Sequence, residues 1–291
     1  MAIAVSIPNN DPFSMPMPKV EPTGEETAEV PGDDTAGNVE APSEEPVHSD
    51  SLVIIPTYNE KENIENIIRY VFKLPQPFEI LIIDDGSPDG TAGIVKTLME
   101  EFPDRLHIIE RQGKQGLGTA YIAGFRWALK HDYEYIFEMD ADFSHNPDDL
   151  LRLRAACAER GADLAIGSRY VTGVNVVNWP MGRVLMSYYA SVYVRFVTGI
   201  KVHDSTAGFV CYTRRLLSKM ELDKIQFKGY AFQIEMKFTA SMMGAKIEEV
   251  PIIFTNRVLG TSKMSGGIFS EAVFGVIKLK VGSWSRVYPK L

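Results

Sequence analysis

Two carboxylates near the middle of the 291-residue sequence, Asp140 and Asp142, are separated by the single small residue Ala141. Carboxylates at this spacing can share one divalent cation, because hard cations prefer oxygen ligands. Ser144 lies two residues further on and offers a hydroxyl or a place for a bound water. A cation held there would neutralise the charge that develops on a departing diphosphate. Because Asp-x-Asp is also common in acidic turns and helix caps, its surroundings must decide between the two interpretations.

Three other polar segments directly follow short apolar runs: residues 56–60, 84–87 and 167–170. Asp84 and Asp85 suit hydrogen bonding to a ribose or to the edge of a base, and Gly86 permits a tight turn after them. Residues 56–60 add an aromatic side chain and a carboxylate. Each segment alone is equally compatible with a strand-to-helix connection or a capped turn, so the prediction of a site depends on their being brought together.

The elements that must position these side chains are apolar runs rich in Val and Ile that alternate with stretches of helical spacing. Strands are predicted at 51–55, 79–87, 105–110, 133–142 and 162–170, with helices after Asn59, over 90–102, over 116–130 and after Asn146-Pro147. This alternation predicts an α/β fold with a mostly parallel sheet covered by helices on both faces. Ligands bind beyond the carboxyl ends of such strands, which is where the polar segments lie. The second half is less regular, with helices predicted at 184–197 and 232–243 and strands at 207–215 and 245–257.

The charge of the chain is unevenly distributed. The total is −8, but residues 1–50 hold eleven acids and one base, so that segment carries −10 and the remainder +2. A segment rich in Pro, Glu and Asp with few aromatics buries too little apolar surface to fold, and residues 1–50 are predicted to be a disordered tail. The nearly neutral body lacks the basic excess of a nucleic-acid binder, so no nucleic-acid partner is expected.

Four segments in order, PTYNE (56–60), IDDGSPDGT (83–91), MDADFSHNP (139–147) and GSRY (167–170), resemble family 2 glycosyltransferases of the GT-A fold. The sequence is more similar still to the dolichyl-phosphate (polyprenol monophosphate) mannose synthases. The supporting motifs are GLGTAYIAGF (116–125), NWP (178–180), DSTAGF (204–209), GYAFQIE (229–235) and FTNRVLGTSKM (254–264). The resemblance covers residues 51–280 and implies one GT-A catalytic domain over 51–268.

The resemblance also implies roles for individual residues. Donor-nucleotide positions correspond to Pro56, Tyr58, Glu60, Ile83 and Asp85. The metal and diphosphate loop corresponds to Asp140, Ala141 and Asp142, with Ser144 standing where many relatives have Gln. The acceptor phosphate corresponds to Arg169 and Arg183, and the cations of a loop that closes on the donor correspond to Arg257 and Lys263. Asp142, Arg169 and Arg183 are the implied catalytic residues. Arginine suits both phosphate groups because its planar fork binds oxygens in pairs.

The implied activity is transfer of mannose from GDP-mannose to a polyprenyl phosphate with Mg²⁺ or Mn²⁺, by a single inverting displacement. A phosphate oxygen is already ionised near neutral pH, so the nucleophile needs no strong base, and positioning and electrostatics would supply most of the acceleration. Two alternatives stay open. One is transfer of glucose or N-acetylglucosamine from a UDP-sugar to the same kind of lipid, and the other is a subunit that binds nucleotide sugar without turnover.

The lipid acceptor requires access to a membrane, yet no run of 18 apolar residues is present. Residues 269–291 are predicted to be an amphipathic basic helix and tail, because an apolar stripe at helical spacing precedes Lys278, Lys280, Arg286 and Lys290. Some of the similar enzymes carry C-terminal transmembrane segments and others recruit a membrane partner, so the resemblance implies that a membrane-anchoring partner is one route to the membrane here. Cys157 and Cys211 form no motif, which is typical of reduced cytosolic thiols. The expected location is therefore cytoplasmic, peripheral at the cytoplasmic face of a membrane.

Overall fold

The computed structural model describes residues 48–229, 231–257 and 268–291. Most of the predicted tail and Lys263 lie outside these residues. The strands are β1 (Ser51–Thr57), β2 (Glu79–Asp84), β3 (Leu106–Glu110), β4 (Tyr135–Glu138), β5 (Leu164–Ser168), β6 (Val176–Val177), β7 (Val210–Thr213), β8 (Ile247–Pro251) and β9 (Phe254–Thr255). The helices are α1 (Ile64–Phe72), α2 (Thr91–Glu101), α3 (Leu117–Ala128), α4 (Asp149–Ala158), α5 (Met181–Thr198), α6 (Arg214–Lys219), α7 (Ala231–Met243) and α8 (Ile268–Gly282).

The described residues form a seven-stranded sheet in the order β3-β2-β1-β4-β7-β5-β8. The pairs β1–β2, β1–β4, β2–β3 and β5–β8 are parallel, and β7 runs antiparallel to both β4 and β5. The prediction of a mostly parallel α/β sheet is confirmed. Strand β7 was not predicted to reverse direction, because the direction of a four-residue strand depends on its neighbours in space.

Alternate side chains of the central strands enter two separate hydrophobic clusters. Leu52 and Ile54 of β1 join a cluster with residues of α3, α5, α7 and α8, whereas Val53 and Ile55 join a cluster with residues of α1, α2 and α4. Both faces of the sheet are therefore covered, which explains why these strands are continuous apolar runs rather than alternating ones.

Strand β1 lies between β2 and β4, so the segments that follow these three strands come together at one edge of the sheet. Thr57 at the end of β1 is paired with Asp84 at the end of β2. On the other side, Glu138 at the end of β4 is level with Ile54 of β1. The loop after β4 therefore begins next to the last residues of β1, at the edge where parallel sheets bind ligands.

The folded body begins slightly before residue 51. Ser49 is buried, its hydroxyl donates to the carbonyl of Pro77 at 2.7 Å, and Asp50 pairs with Arg154 at 2.5 Å. The helix predicted directly after Asn59, with Asn59 as its amino-terminal cap, begins later in the structure. The φ of Asn59 is 56° and its amide donates to the Ser87 hydroxyl at 3.0 Å, while α1 begins at Ile64.

Of the apolar side chains predicted to form one stripe on α8, the two that the structure describes lie on different sides of the helix. Val276 is buried in the cluster shared with α5, whereas Ile277 is exposed. The side chains of residues 268–273 are outside the described part of the structure. The C-terminal segment returns to the body, since Tyr288 is buried and the Leu291 amide donates to the Met243 carbonyl at 3.1 Å. Among the described residues, no helix combines the length and the apolar character that a membrane span requires.

Candidate active site

The ends of β1 and β2 are held together by Asp84, which is almost completely buried. Its carboxylate accepts hydrogen bonds from the Thr57 hydroxyl at 2.8 Å, the Ser87 hydroxyl at 2.6 Å and the Ser87 amide at 2.9 Å. These bonds saturate the carboxylate from within the protein. Asp84 therefore fixes the turn, and Asp85 is the aspartate of this pair that is left to face the edge of the sheet.

Asp85 is paired with Arg111, which the sequence did not single out. The Arg111 Nε donates to Asp85 Oδ1 at 2.6 Å, and its Nη1 donates to the Thr119 hydroxyl at 2.8 Å. Gly86 has a φ of +67° and approaches Gly113 so closely that an added Cβ would lie 3.0 Å from the Gly113 nitrogen. This contact holds the β3–α3 connection, which carries Arg111, against the end of β2.

Tyr58 and Glu60 lie just beyond the end of β1. The Nζ of Lys114 lies 4.8 Å from the centre of the Tyr58 ring. Glu60 accepts from the Asn63 side chain at 3.1 Å, and its amide donates to the Thr91 hydroxyl at 3.1 Å. An aromatic ring beside a cation and an acidic pair is thus present at the β1–β2 end of the edge, as the sequence predicted from the residue types there.

The loop after β4 turns sharply at Phe143, whose φ is 57°. The turn is stabilised by the Ser144 amide, which donates to Asp142 Oδ1 at 3.0 Å. Asp142 is buried, and its other oxygen pairs with an Arg257 nitrogen at 2.7 Å. Asp140 is half-buried on the same loop. The two carboxylates that the sequence paired therefore belong to one short, backbone-stabilised turn.

Ionising both Asp140 and Asp142 on this turn is energetically costly without a cation, because the turn is largely buried and the two carboxylates repel each other. Burial and the neighbouring Asp142 carboxylate raise the pKa of Asp140 to about 7, with smaller contributions from Glu60 and Glu138 and an opposing one from Arg257. A divalent ion would remove that cost, because it attracts both carboxylates. Within the described residues no three or more His, Cys, Asp or Glu side chains form a complete ligand set. Two carboxylates leave most of the coordination positions of a hard cation to other oxygens, such as those of a diphosphate.

A two-stranded parallel sheet, β6 with β9, connects this turn to Arg183. The Thr255 amide in β9 donates to the Ser144 carbonyl at 3.1 Å, and the Asn256 amide donates to the Val177 carbonyl at 3.1 Å. The Asn256 side chain accepts a hydrogen bond from Arg183 at 3.2 Å. Arg257 follows directly in the chain. The turn, Arg183 and Arg257 therefore share one small hydrogen-bonded assembly that sequence spacing did not indicate.

Arg183 also lies over the indole of Trp179, with its guanidinium carbon 4.0 Å from the ring centre. Trp179 is the central residue of the NWP motif, and its ring contacts Phe254 of β9 edge-on at 5.2 Å. A cation on an aromatic face is attracted by the ring quadrupole. Trp179 thus supports Arg183 from one side while Asn256 holds it from another.

Arg169 directly follows β5 and pairs with Asp204. It is buried, and its guanidinium donates to both carboxylate oxygens of Asp204 at 2.6 and 2.7 Å and to the Thr206 hydroxyl at 2.7 Å. The Arg169 amide also donates to Asp204. Burial raises the pKa of Asp204, but the Arg169 charge outweighs that effect and the net pKa is lowered. Arg169 is thus committed to a buried ion pair behind the edge and stabilises the aromatic cluster of Trp179 and Phe254.

His145 is buried in the same assembly. Its ring stacks on Phe209 at 4.8 Å and meets Phe254 edge-on at 5.1 Å. Burial lowers the pKa of His145 to about 4, so the imidazole is neutral at physiological pH. His145 therefore acts as an aromatic packing residue under the carboxylate turn and adds no positive charge to it.

A second buried polar network lies beneath the turn. Lys237 of α7 is fully buried and donates to the Ala207 carbonyl at 2.7 Å and to the Gln233 side chain at 3.0 Å. Gln233 in turn donates to Glu138, the last residue of β4. Burial raises the pKa of Glu138 and lowers that of Lys237. The network ties α7 to the end of β4, two residues before Asp140.

The structure brings most of the predicted site residues to one edge of the sheet, with Arg169 buried behind them: Pro56, Tyr58, Glu60, Asp85, Asp140, Ala141, Asp142, Ser144, Arg183 and Arg257. The Ile83 side chain is fully buried in a core cluster, so it supports the sheet and does not line the edge. Ser144 contributes backbone bonds to the turn. Arg111 gains its importance from Asp85, and Asp204 from Arg169, which are 26 and 35 residues away in sequence. Trp179 contacts Arg183, four residues away, and Phe254 of β9.

Comparison with known proteins adds independent findings. The model of glycosyl transferase family 2 matches residues 52–221. A polyprenol monophosphomannose synthase of Mycolicibacterium smegmatis is 47% identical over 255 residues, which are 88% of this chain and 94% of that protein. An undecaprenyl-phosphate mannosyltransferase of Micrococcus luteus is 46% identical over 227 residues, covering 78% of this chain and 92% of that protein.

Solved structures agree with the fold. Glucosyl-3-phosphoglycerate synthase from Mycobacterium tuberculosis, in complex with Mn²⁺, UDP and glucosyl-3-phosphoglycerate, superimposes with a TM-score of 0.58 over 79% of each chain. The sequence identity is 15%, so the likeness concerns the arrangement of the sheet and helices. It confirms the expected GT-A type of architecture.

Proposed function

The chain belongs to glycosyl transferase family 2, and from that premise we propose that it transfers mannose from GDP-mannose to a polyprenyl phosphate. The names of the two curated relatives support a mannosyl group and a polyprenyl-phosphate acceptor. The observation that carries the proposal is the link between the Asp140–Asp142 turn and Arg183 through the β6–β9 sheet. It joins a carboxylate pair suited to a diphosphate-bound cation to an arginine suited to a second phosphate.

The nucleoside part of the donor binds at the ends of β1 and β2. Tyr58 offers a ring for stacking, and Asp85 offers a carboxylate held in place by Arg111. Pro56 and Glu60 complete this part of the edge. Arg111 and Lys114 add positive charge next to the Asp85 and Tyr58 side chains. Their charge favours an anionic nucleotide over a neutral sugar at this position.

The donor diphosphate lies over the carboxylate turn. Asp140 and Asp142 would hold the divalent cation, Mg²⁺ or Mn²⁺, which when bound stabilises the negative charge of the leaving nucleotide. The raised pKa of Asp140 supports this assignment, since the two carboxylates are costly to ionise together without a cation. Ala141 is small enough to let the backbone approach the diphosphate. Arg257 pairs with Asp142 and can turn toward a phosphate oxygen, and Lys263 supplies a further cation from the following segment.

The acceptor phosphate binds at Arg183. The guanidinium is held by Trp179 and Asn256, which limits its freedom before the phosphate arrives and so lowers the entropic cost of binding. Arg169 supports this side from behind through its aromatic contacts. An ionised phosphate oxygen then attacks the anomeric carbon of the sugar from the face opposite the leaving diphosphate. One such displacement inverts the configuration and needs no side chain as a strong base.

The acceptor is a lipid, so the enzyme works peripherally at a membrane surface, at its cytoplasmic face. The sugar is tested directly by incubating the chain with labelled GDP-mannose, UDP-glucose or UDP-N-acetylglucosamine, a short polyprenyl phosphate, and Mg²⁺ or Mn²⁺. We expect lipid-extractable label from GDP-mannose alone. Lipid label that comes only from a UDP-sugar would overturn the mannosyl assignment.

The carboxylate turn is tested with Asp142→Asn. We expect transfer to fall by about 100-fold or more, because the leaving charge loses its cation. Asp223→Asn is the matched control, since Asp223 is exposed and pairs only with the surface residue Arg126 among the described contacts. A chain that retains its biological effect but transfers no sugar from any donor would instead be a binding subunit.

A further inference from the structure

Helices α5 and α8 share an exposed apolar surface, and we infer that this surface docks the enzyme on an anionic lipid bilayer. The surface, called here the α5–α8 face, consists of Met181, Leu185, Tyr189 and Phe196 on α5 with Phe274, Ile277, Val281 and Trp284 on and just after α8. The inference rests on the proposed function, because it states where and how the lipid acceptor is reached. It adds α5 to the C-terminal segment that sequence alone connected with membranes.

Helix α5 exposes a stripe of apolar side chains on the side that faces away from the protein core. Met181, Leu185, Tyr189 and Phe196 are spaced four, four and seven residues apart, which places them within about 80° of the helix circumference. Phe196 is 88% exposed. The opposite side carries the buried residues Ser191, Val194 and Thr198. A water-facing helix normally has polar residues on its outer stripe, so α5 is built to meet something other than water.

Helix α8 repeats this arrangement. Phe274, Ile277 and Val281 are exposed at helical spacing, with Phe274 at 74%, and Trp284 in the following turn is 77% exposed. Val276 and Leu279 are buried on the other side. Gly275 lies so close to the Phe227 ring that an added Cβ would be 2.8 Å from it, which shows that α8 is packed tightly onto the body. Its outer apolar side chains are therefore held outward on a fixed helix.

The two stripes are neighbours on one side of the molecule. Helices α5 and α8 pack against each other, and Lys280 of α8 donates to the Thr198 carbonyl at the end of α5 at 3.0 Å. Val194 of α5 and Val276 of α8 are buried in the same hydrophobic cluster. Because both helices turn their inner sides to one cluster, their outer sides form a single surface.

Charge indicates which partner this surface fits. Residues 181–203 and 272–291 contain no Asp or Glu, and their basic residues are Arg183, Arg195, Lys201, Lys278, Lys280, Arg286 and Lys290. Apolar side chains flanked by cations, with Tyr and Trp among them, match the boundary between lipid tails and anionic headgroups. A second copy of the same face would bring like charges together, so the bilayer is the favoured occupant.

Arg183, the residue proposed to bind the acceptor phosphate, lies on one of the two helices of the α5–α8 face. Arg183 lies in the first turn of α5, at the same end as Met181 and Leu185 of the outer stripe. A polyprenyl phosphate keeps its phosphate at the headgroup level and its chain among the lipid tails. By the same helical spacing Arg183 is on the side of α5 opposite the stripe, so docking would place it within one helix diameter, about 10 Å, of the bilayer surface and close to the headgroup level of the acceptor phosphate.

The test uses the full chain and vesicles of phosphatidylcholine with 30% phosphatidylglycerol, compared with vesicles of phosphatidylcholine alone. We expect binding in a co-sedimentation assay to be about tenfold tighter on the anionic vesicles. Phe196→Asp and Phe274→Asp should each weaken binding by about tenfold or more, whereas Phe196→Trp should retain it. Both positions are exposed, and far-UV circular dichroism with thermal unfolding verifies that the three variants fold.

Transfer assays separate this inference from the proposed function. Phe196→Asp should transfer sugar to a short, water-soluble polyprenyl phosphate within about twofold of the unsubstituted chain, but at about one tenth of its rate to a long acceptor embedded in vesicles. If the unsubstituted chain binds vesicles and transfers to neither acceptor, the proposed function fails and the docking surface stands. Equal binding of Phe196→Asp and the unsubstituted chain to anionic vesicles would overturn the inference. So would a dimer in sedimentation equilibrium that Phe196→Asp converts to monomers while vesicle binding is unchanged.

Discussion

At the scale of single residues, the site is defined by how its charges are compensated. Asp84 and Arg169 look like functional groups in the sequence, and the structure gives both of them buried internal partners. Asp85 and Asp142 each keep a cationic partner at the edge of the sheet, Arg111 and Arg257. A residue type and its position in a motif therefore do not tell whether its charge is directed at a ligand or used to hold the protein together.

Trp179 is predicted to act on the acceptor through Arg183. Trp179→Leu removes the ring on which the Arg183 guanidinium lies at 4.0 Å, an interaction of about 0.5 to 2 kcal/mol. We expect the KM for the polyprenyl phosphate to rise about 3- to 30-fold while the KM for the donor stays unchanged, in steady-state assays with each substrate varied. Arg183→Gln should have the same selectivity and a larger effect. Equal changes in both KM values would show that Trp179 has only a structural role.

Asp204 is predicted to be a stability residue. Asp204→Asn leaves the buried Arg169 guanidinium without its counter-charge, which we expect to lower the free energy of unfolding by about 3 to 5 kcal/mol. Urea unfolding at pH 7 measures the loss. Asp223→Asn, at an 88% exposed side chain, should change stability by about 0.5 kcal/mol or less. Similar losses in the two variants would contradict the assignment.

At the scale of elements, the amino ends of the parallel strands are joined by hydrogen bonds, whereas the carboxyl ends carry the candidate site. Glu79 at the amino end of β2 is buried and receives hydrogen bonds from Tyr133, from His107 at 3.2 Å and from the Ser49 amide at 3.2 Å. These contacts connect β2, β3 and the segments that precede β1 and β4. The amino ends are thus fastened by a closed network, which leaves the loops at the carboxyl ends to bind ligands.

Glu79→Gln is predicted to lower stability without lowering transfer. Burial raises the pKa of Glu79, but the hydrogen bonds from His107, Tyr133 and Ser49 outweigh it, so the folded-state pKa lies below the ordinary 4.5. The stabilisation is therefore fully present above pH 4.5 and is lost as the pH falls through the lower folded-state value. Urea unfolding should show a deficit of about 1 to 3 kcal/mol at pH 7 that shrinks below pH 4. A deficit independent of pH would contradict the role of the Glu79 charge.

The strands and helices that carry strong periodicity were predicted from sequence, and so were the polar ends of β1, β2 and β4. The strand at β7 was predicted too, but its antiparallel insertion between β4 and β5 was not, and neither was the β6–β9 sheet. The direction and pairing of strands of two to four residues depend on their neighbours in space. The pairs Arg111–Asp85 and Arg169–Asp204 span 26 and 35 residues. Local spacing carries no information on such contacts, which arise only once the sheet has assembled.

At the scale of the whole molecule, charge is separated along the chain. Residues 1–47 carry ten acids and Lys19, or −9, which leaves +1 for the rest. Helix α5 and residues 272–291 contain no Asp or Glu. The chain therefore combines a strongly acidic N-terminal segment with a surface suited to anionic lipid, and the two would oppose each other at a membrane.

Deletion of residues 1–47 is predicted to strengthen binding to anionic vesicles. Removal of nine net negative charges lowers repulsion from the headgroups, and the effect should be largest at low salt because exposed charges are screened over about 10 Å at 0.1 M. Co-sedimentation at 20 and 200 mM NaCl measures it. Thermal unfolding should be unchanged, whereas deletion of residues 1–50 should lower the melting temperature through loss of the Ser49 and Asp50 contacts. Weaker vesicle binding after the shorter deletion would contradict this prediction.

The β6–β9 sheet joins the carboxylate turn to Arg183 through two kinds of bond. Amide and carbonyl groups of Ser144, Thr255, Asn256 and Val177 hold the turn to the sheet, whereas the side chain of Asn256 holds Arg183. Backbone groups are the same whatever side chains the sequence carries. A substitution of Asn256 would therefore loosen the arginine while the sheet keeps its hold on the carboxylate turn.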